Sequence, residues 1–260
     1  MPLARLAVAL IAALALAGPL AARAEDGPMQ KPPAAYSFRL GALRLAVARG
    51  GGWRALNDGT VFGKNATRAE VAAVLAKAGA PTDVVTMDVD ALVVRLPGHV
   101  VLIDAGLGPA DHGVVRQSLA MAGVKPAEVT DVLITHGHTD HVDGLVGDDG
   151  KPAFPAAVVR MSAREWASMQ ADKWEAGTAR VIAPQVRTFA PGVELLPGIT
   201  PIALYGHTPG HVGYVIASGG QRLVDIGDIA HSSIISLARP DWIIDFDSDP
   251  AMGARTPGPS

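Results

Sequence analysis

The 260 residues, 49% of them hydrophobic and 18% charged, suit one globular domain with a sizeable core and exclude a disordered or fibrous chain. A formal net charge of −3 without basic runs argues against nucleic acid or an anionic membrane surface as a partner. With no cysteine, neither a disulfide nor a thiolate metal ligand is available, so stability rests on the core, hydrogen bonds and bound metal.

Residues 1–24 carry Arg5, an apolar stretch over 6–17, a Gly18-Pro19 breaker and then Ala22-Arg23-Ala24, the layout of a secretory signal with its cleavage site. The apolar stretch is short for a membrane span. Cleavage would remove Arg5 and Arg23 but no acid, leaving a more acidic chain that is exported to the periplasm or secreted, without stable membrane association. Residues 25–35 read as a Pro-containing linker, 36–250 as the folded domain and 251–260 as an irregular tail.

Within the domain, residues 37–47 alternate apolar and polar side chains around Gly41, which predicts a strand pair. Gly50-Gly51-Gly52 reads as a flexible turn, since no Lys-Ser/Thr helix follows to make it a phosphate cradle. Thr67 to Glu70 is a capping-box pattern, and Val71, Val74, Leu75 and Ala78 share one face of a helix that Gly79 and Pro81 stop. Residues 84–96 predict a strand, Pro97-Gly98 a turn, and 99–104 a second strand ending at Asp104. His99 and His112 have no such context and read as surface or loop residues. Residues 113–122 are helical in spacing and close at Gly123.

The run Val132-Leu133-Ile134-Thr135 predicts a buried strand that delivers His136-Gly137-His138-Thr139-Asp140-His141 to its end. Imidazole and carboxylate are the donors that zinc takes in catalytic sites, and side chains two apart in an extended segment point the same way, so His136 and His138 can grip one ion. Asp140 and His141 are then aimed at a second. Beyond it, 157–160 predict a short strand, and Ser162 to Glu165 is a capping box opening a helix with Trp166 and Met169. Residues 171–190 are the least regular stretch; Trp166, Met169, Trp174 and Phe189 are candidates for an apolar substrate pocket or for the core. A strand over 198–205 leads to the tight turn Gly206-His207-Thr208-Pro209-Gly210, which lifts His207 towards the ions, and His211 opens the next strand in a structural role. A strand over 222–227 ends at Asp228, whose two oxygens can bridge two cations. His231 reads as lining the cavity or bonding nearby rather than as a ligand.

Four of these motifs, in this order and rough spacing, resemble the metallo-β-lactamase superfamily: Asp104 in Leu102-Ile103-Asp104-Ala105-Gly106, the His136 to His141 cluster, His207 and Asp228. The resemblance covers residues 36–249, and 153–160 with Asp247-Ser248-Asp249 look most like its methyl parathion hydrolase and lactonase-like branch. It implies an α/β fold: an αββα sandwich of two mixed sheets with helices on the outer faces, where periodicity alone reaches only mixed α and β. It also implies zinc ligation by His136, His138, Asp140, His141, His207 and Asp228, with Asp104 orienting an imidazole from behind. The family supplies one more His well beyond the bridging Asp, and no His follows Asp249 in this sequence, so the resemblance implies that the family's last helix and strand are missing here. The expectation is therefore a complete first site of His136, His138, His207 and the Asp228 bridge, beside a second lacking one protein ligand.

Two cations about 3.5–4 Å apart acidify a water between them and polarise a carbonyl or phosphoryl oxygen, so the implied activity is hydrolysis of an ester, lactone or phosphotriester in a small molecule. Asp140 is the expected catalytic residue, ligating one ion and moving a proton. The alternatives are a β-lactamase, disfavoured by the absent cysteine, and a metal-binding remnant without activity. Oligomeric state stays open, a dimer included.

Overall fold

The computed structural model describes residues 26–249. The secretory-signal segment and the tail expected over 251–260 lie outside them. Two sheets form the centre. The larger runs β1 (Gly27–Pro28), β3 (Leu43–Leu56), β4 (Val84–Leu96), β5 (His99–Ile103), β6 (Asp131–Leu133), β7 (Val158–Ser162) and β8 (Val186–Phe189), with β2 (Ala35–Leu40) also paired to β3. It is antiparallel from β3 to β5 and parallel from β5 to β8. The smaller sheet, β11 (Gln221–Asp225), β10 (Val212–Ser218) and β9 (Ile199–Ala203), is antiparallel throughout rather than mixed.

Strand alternation divides the core in two. Leu102, Val132, Val159 and Met161 point to one side of the large sheet, where Leu119 of α2 (Val115–Met121), Met169 of α4 (Ala163–Ala171) and Ile182 of α5 (Ala176–Ile182) cover them. Val101, Ile103 and Leu133 point to the other, against Ile199, Val212, Tyr214 and Ile216 of the small sheet. β6 is buried on both faces, which is why its sequence is continuously apolar instead of alternating. A third cluster joins α1 (Arg68–Lys77) and α6 (Ile235–Ala238) through Phe62, Val71, Leu75, Ile235 and Trp242. Among the described residues, no helix is long and apolar enough to cross a membrane.

The predicted hairpin of residues 84–104 and the Thr67 capping box are present as expected; Thr67 Oγ1 accepts the Glu70 N–H at 3.2 Å, and Glu70 accepts the Thr67 N–H at 2.8 Å. His99 opens β5 as expected, its side chain at the surface and 2.8 Å from Asp131, whose other oxygen takes the Arg160 guanidinium. Two expectations are corrected. Residues 171–190 hold α5 and β8 and are not irregular. Gly50-Gly51-Gly52 is no turn but lies inside β3, at a bulge in its pairing with β4. The glycines are there for space: a Cβ on Gly50 would stand 2.6 Å from Gly106 Cα, and one on Gly51 would stand 2.5 Å from Leu107. This close approach seats the Asp104 to Gly106 turn on the back of β3.

Adding a methyl group at that contact forces backbone apart. G50A is expected to cost about 1–3 kcal/mol in chemical denaturation. G177A is the control of opposite sign, because its Cβ meets only an Arg180 nitrogen at 4.0 Å and helix propensity rises by about 0.5–1 kcal/mol.

Candidate metal centre

The end of β6 continues as Thr135 and then the histidine cluster, whose Thr139–Val142 turn forms the short helix α3. Asp104 holds this segment from the neighbouring strand. Its Oδ1 accepts the Thr135 N–H at 2.8 Å, and its Oδ2 lies 2.7 Å from Thr135 Oγ1 and 2.8 Å from His141 Nδ1. The residue adopts a left-handed backbone (φ 59°), uncommon without glycine and sustained here by those bonds. The second sheet docks onto the same turn: Tyr214 donates to Ile134 O at 2.7 Å, and the Val212 N–H donates to Thr135 O at 3.0 Å.

Five of the six expected ligands, His136, His138, His141, His207 and Asp228, fall into two donor groups, and Asp140 lies beside His141 outside both. His207 Nε2 lies 3.2 Å from His136 Nε2 and 2.9 Å from His138 Nδ1, and the three donors form one compact group. His136, His141 and Asp228 form a second such group. His141 Nε2 stands 3.4 Å from Asp228 Oδ1 and 3.5 Å from Asp140 Oδ2. Asp228 Oδ2 faces the first group, 3.8 Å from His207 Nε2 and 4.0 Å from His136 Nε2. Donors about 2.0–2.2 Å from one ion stand about 2.8–3.8 Å apart at ordinary coordination angles, so both groups fit cations of this size, with Asp228 lying between them. The imidazoles are aimed from behind: Thr135 Oγ1 is 3.0 Å from His136 Nδ1, Asp104 is on His141 Nδ1, and Asp247 Oδ1 is 3.0 Å from His207 Nδ1.

Two of these supports escaped the sequence reading. Glu165, read there only as half of a capping box, is a buried carboxylate that accepts the Gly137 N–H at 2.7 Å, the Thr208 hydroxyl at 2.8 Å and the Gly210 N–H at 2.8 Å. It joins the His136 loop to the His207 loop, while Ser162 alone caps the helix. Asp247 carried no role either, yet the Ser248 N–H donates to His207 O at 2.9 Å and seats it. No local pattern announces such partners, 28 to 45 residues away in the chain. His211 is structural as read, its Nε2 accepting the Asp228 N–H at 3.0 Å.

Burial and crowding push the His136 imidazole far below its ordinary pKa, with His141, His207 and His138 as the charges it avoids. The same causes bring His138 to about 4 and His211 to about 3. His141 goes the other way: burial disfavours its cation, but Asp228, Asp140 and Asp104 outweigh burial and raise it well above normal. Asp228 is correspondingly held far below the usual carboxylate range against its burial, first by His141.

A cleft of about 440 Å³ opens over this floor, walled by Trp53, Trp174 and Phe246 and by Asp111, Asp143 and Glu175. Of the four residues considered for an apolar pocket, only Trp174 lines it. Met169 and Trp166 pack on the helix-side core and Phe189 on the inter-sheet core. Burial, with Asp172 next, raises the Glu175 carboxyl to about 8.

Comparison with known proteins agrees with this architecture. The family described as the metallo-beta-lactamase superfamily matches residues 85–257, and the chain belongs to it. Its two sheets and covering helices are the fold of that superfamily. Metallo-beta-lactamase domain-containing protein 1 of Xenopus laevis is 33% identical over 118 residues, 45% of this chain and 43% of that protein. Ribonuclease Z of Pyrobaculum calidifontis is 50% identical over 50 residues, 19% of this chain and 15% of that protein. These matches thus span less than half of either curated relative. Among solved structures, AidC, a dizinc quorum-quenching lactonase, superposes with a TM-score of 0.80 at 24% identity, covering 85% of this chain and 83% of that one. The hydrolase AbOPH superposes with a TM-score of 0.76 at 29% identity, covering 86% and 84%.

Two outcomes follow. E165A leaves three buried donors unpaired at about 1–3 kcal/mol each, so it should destabilise the protein by about 3 kcal/mol or more in a urea titration, whether or not metal is bound. The metal-free protein should lose stability as pH falls from about 6.5 towards 4. His136, His138 and His211 have folded pKa values below their unfolded ones, so over that window the unfolded chain binds more protons. Melting the chelated protein from pH 7.5 to 4.5 checks the slope; a flat profile contradicts it.

Proposed function

We propose that the protein is a zinc-dependent hydrolase of small-molecule esters, lactones or phosphotriesters, acting outside the cytoplasm. The observation that carries the reading is the pair of donor groups flanking Asp228 at the floor of an aromatic-walled cleft. A dizinc lactonase and a hydrolase among the structures of this shape support the substrate class. The segment over 6–24 supports export.

His136, His138, His207 and Asp228 would hold one cation, and Asp140, His141 and Asp228 the other. Bound cations supply Lewis-acid polarisation of the substrate oxygen and a water acidic enough to ionise near neutral pH. The chain's own residues do the rest. Asp140, on the cleft floor beside His141, takes the proton of the attacking water and returns it to the leaving group. Asp104 accepts His141 Nδ1–H, which fixes the tautomer and leaves Nε2 free to donate its lone pair. Trp53, Trp174 and Phe246 bury the apolar part of the substrate and exclude water from it. Glu175, neutral below about pH 8, leaves that side of the cleft free of its charge and suited to uncharged esters.

Elemental analysis followed by turnover of a p-nitrophenyl ester, an aryl phosphotriester and an acyl lactone tests this. Hydrolysis of at least one that chelation abolishes and zinc restores is expected, and D140N should lower kcat by about 10²-fold or more. Full metal loading without turnover would leave the inactive-remnant reading standing instead, and turnover unchanged in D140N would take the proton-transfer role away from Asp140.

A further inference from the structure

His231 follows Asp228 by three residues, and its sequence context reads as lining the cavity or bonding nearby rather than as a ligand. Its side chain is 5% exposed, and its Nε2 lies 3.5 Å from Asp228 Oδ2. Neither of its ring nitrogens has a hydrogen-bond partner, and among the described residues no other imidazole has both nitrogens buried and unpaired. The contact with Asp228 is too long for an N–H···O hydrogen bond. A buried polar group without a partner calls for an explanation, and this ring is not adrift. Its backbone N–H donates to Ser236 Oγ at 3.2 Å, and the ring sits between those of His207, at 4.9 Å, and Phe246, at 5.9 Å.

The separation that is wrong for a hydrogen bond is right for two donors on one ion. The His141 Nε2 contacts with Asp228 and Asp140 are 3.4 and 3.5 Å, and the His207 contacts within the first group are 2.9 and 3.2 Å. His231 also places a donor within 4.8 Å of donors from both His207 and Asp247. His231 and His141 thus face opposite oxygens of the Asp228 carboxylate. We propose that His231 is a metal ligand of this centre, its Nε2 and Asp228 Oδ2 taking the same divalent cation. The inference rests on the metallohydrolase reading and adds a donor to its set.

The test is zinc binding by the whole chain, followed by calorimetry and by nitrogen resonances of ¹⁵N-histidine-labelled protein. In the wild type, zinc should move the His231 Nε2 resonance to a metal-bound position and abolish its titration with pH. H231Q should weaken zinc binding by about tenfold or more, while H112Q, at an exposed turn, leaves it unchanged. Zinc binding that leaves the His231 resonance titrating freely overturns the proposal even where H231Q binds weakly, since that outcome is a positioning role. Unchanged affinity in H231Q overturns it too. A wild type that binds no zinc removes the metallohydrolase reading itself, a result distinct from either. Should H231Q fail to fold, as judged by its metal-free melt, the wild-type resonance decides.

Discussion

One buried carboxylate fixes the geometry of the centre. Asp104 takes the backbone and hydroxyl of Thr135 and the Nδ1 of His141, so the ends of β5 and β6 and the start of α3 are one rigid unit. Its left-handed backbone costs on the order of 1–3 kcal/mol in isolation, and the surroundings have to over-determine it. They do so through bonds from the Asp104 N–H to Leu133 O and from the Ala105 N–H to His141 O, and through the contact of Gly106 with Gly50. Remove the glycine pair and the turn moves off β3; remove the carboxylate and His141 loses the group that selects its tautomer.

The architecture explains why this end of the molecule can be so exact. β6 has apolar neighbours on both sides, the helices packing on Val132 and the small sheet on Leu133. A strand clamped between two cores delivers the loop after it to a fixed place, and the Tyr214 and Val212 bonds then lock the small sheet to that loop. His207 and Asp228 arrive from the small sheet, the first histidines from the large one, and Glu165 joins the two by accepting from both loops. The ligand set is therefore held by interactions between sheets, and its precision is a property of the whole sandwich.

How much of this was legible in sequence depends on how local the cause is. The strand that leads to the His136 to His141 cluster, the hairpin ending at Asp104 and the Thr67 cap each follow from residues a few places apart, and the structure has all three. The role of Glu165 does not, because its sequence context satisfies a capping box while its carboxylate is spent on Gly137, Thr208 and Gly210. Gly50 to Gly52 misled for the same reason: three glycines look like a turn unless the backbone of Gly106 is known to press on them. Of the apolar wall of the cleft only Trp174 was visible. Trp53 and Phe246 lie far apart in the chain, and Met169, which has the right chemistry, faces the core.

The electrostatics of the metal-free centre pull its imidazoles in opposite directions. Imidazoles are packed so closely that His136 rejects a proton, while His141, among Asp104, Asp140 and Asp228, demands one. The proton on His141 thus stands in for a metal ion, neutralising carboxylates that burial would otherwise penalise. A divalent cation would do the same with more charge, and His136, His138 and His207 would offer it lone pairs that burial keeps unprotonated. Proton and metal would compete for one cavity, and the competition would fall most heavily on His141, whose imidazole the surrounding carboxylates make basic. The carboxylates that make His141 basic, Asp228, Asp140 and Asp104, are also those that would balance the charge of a cation bound here.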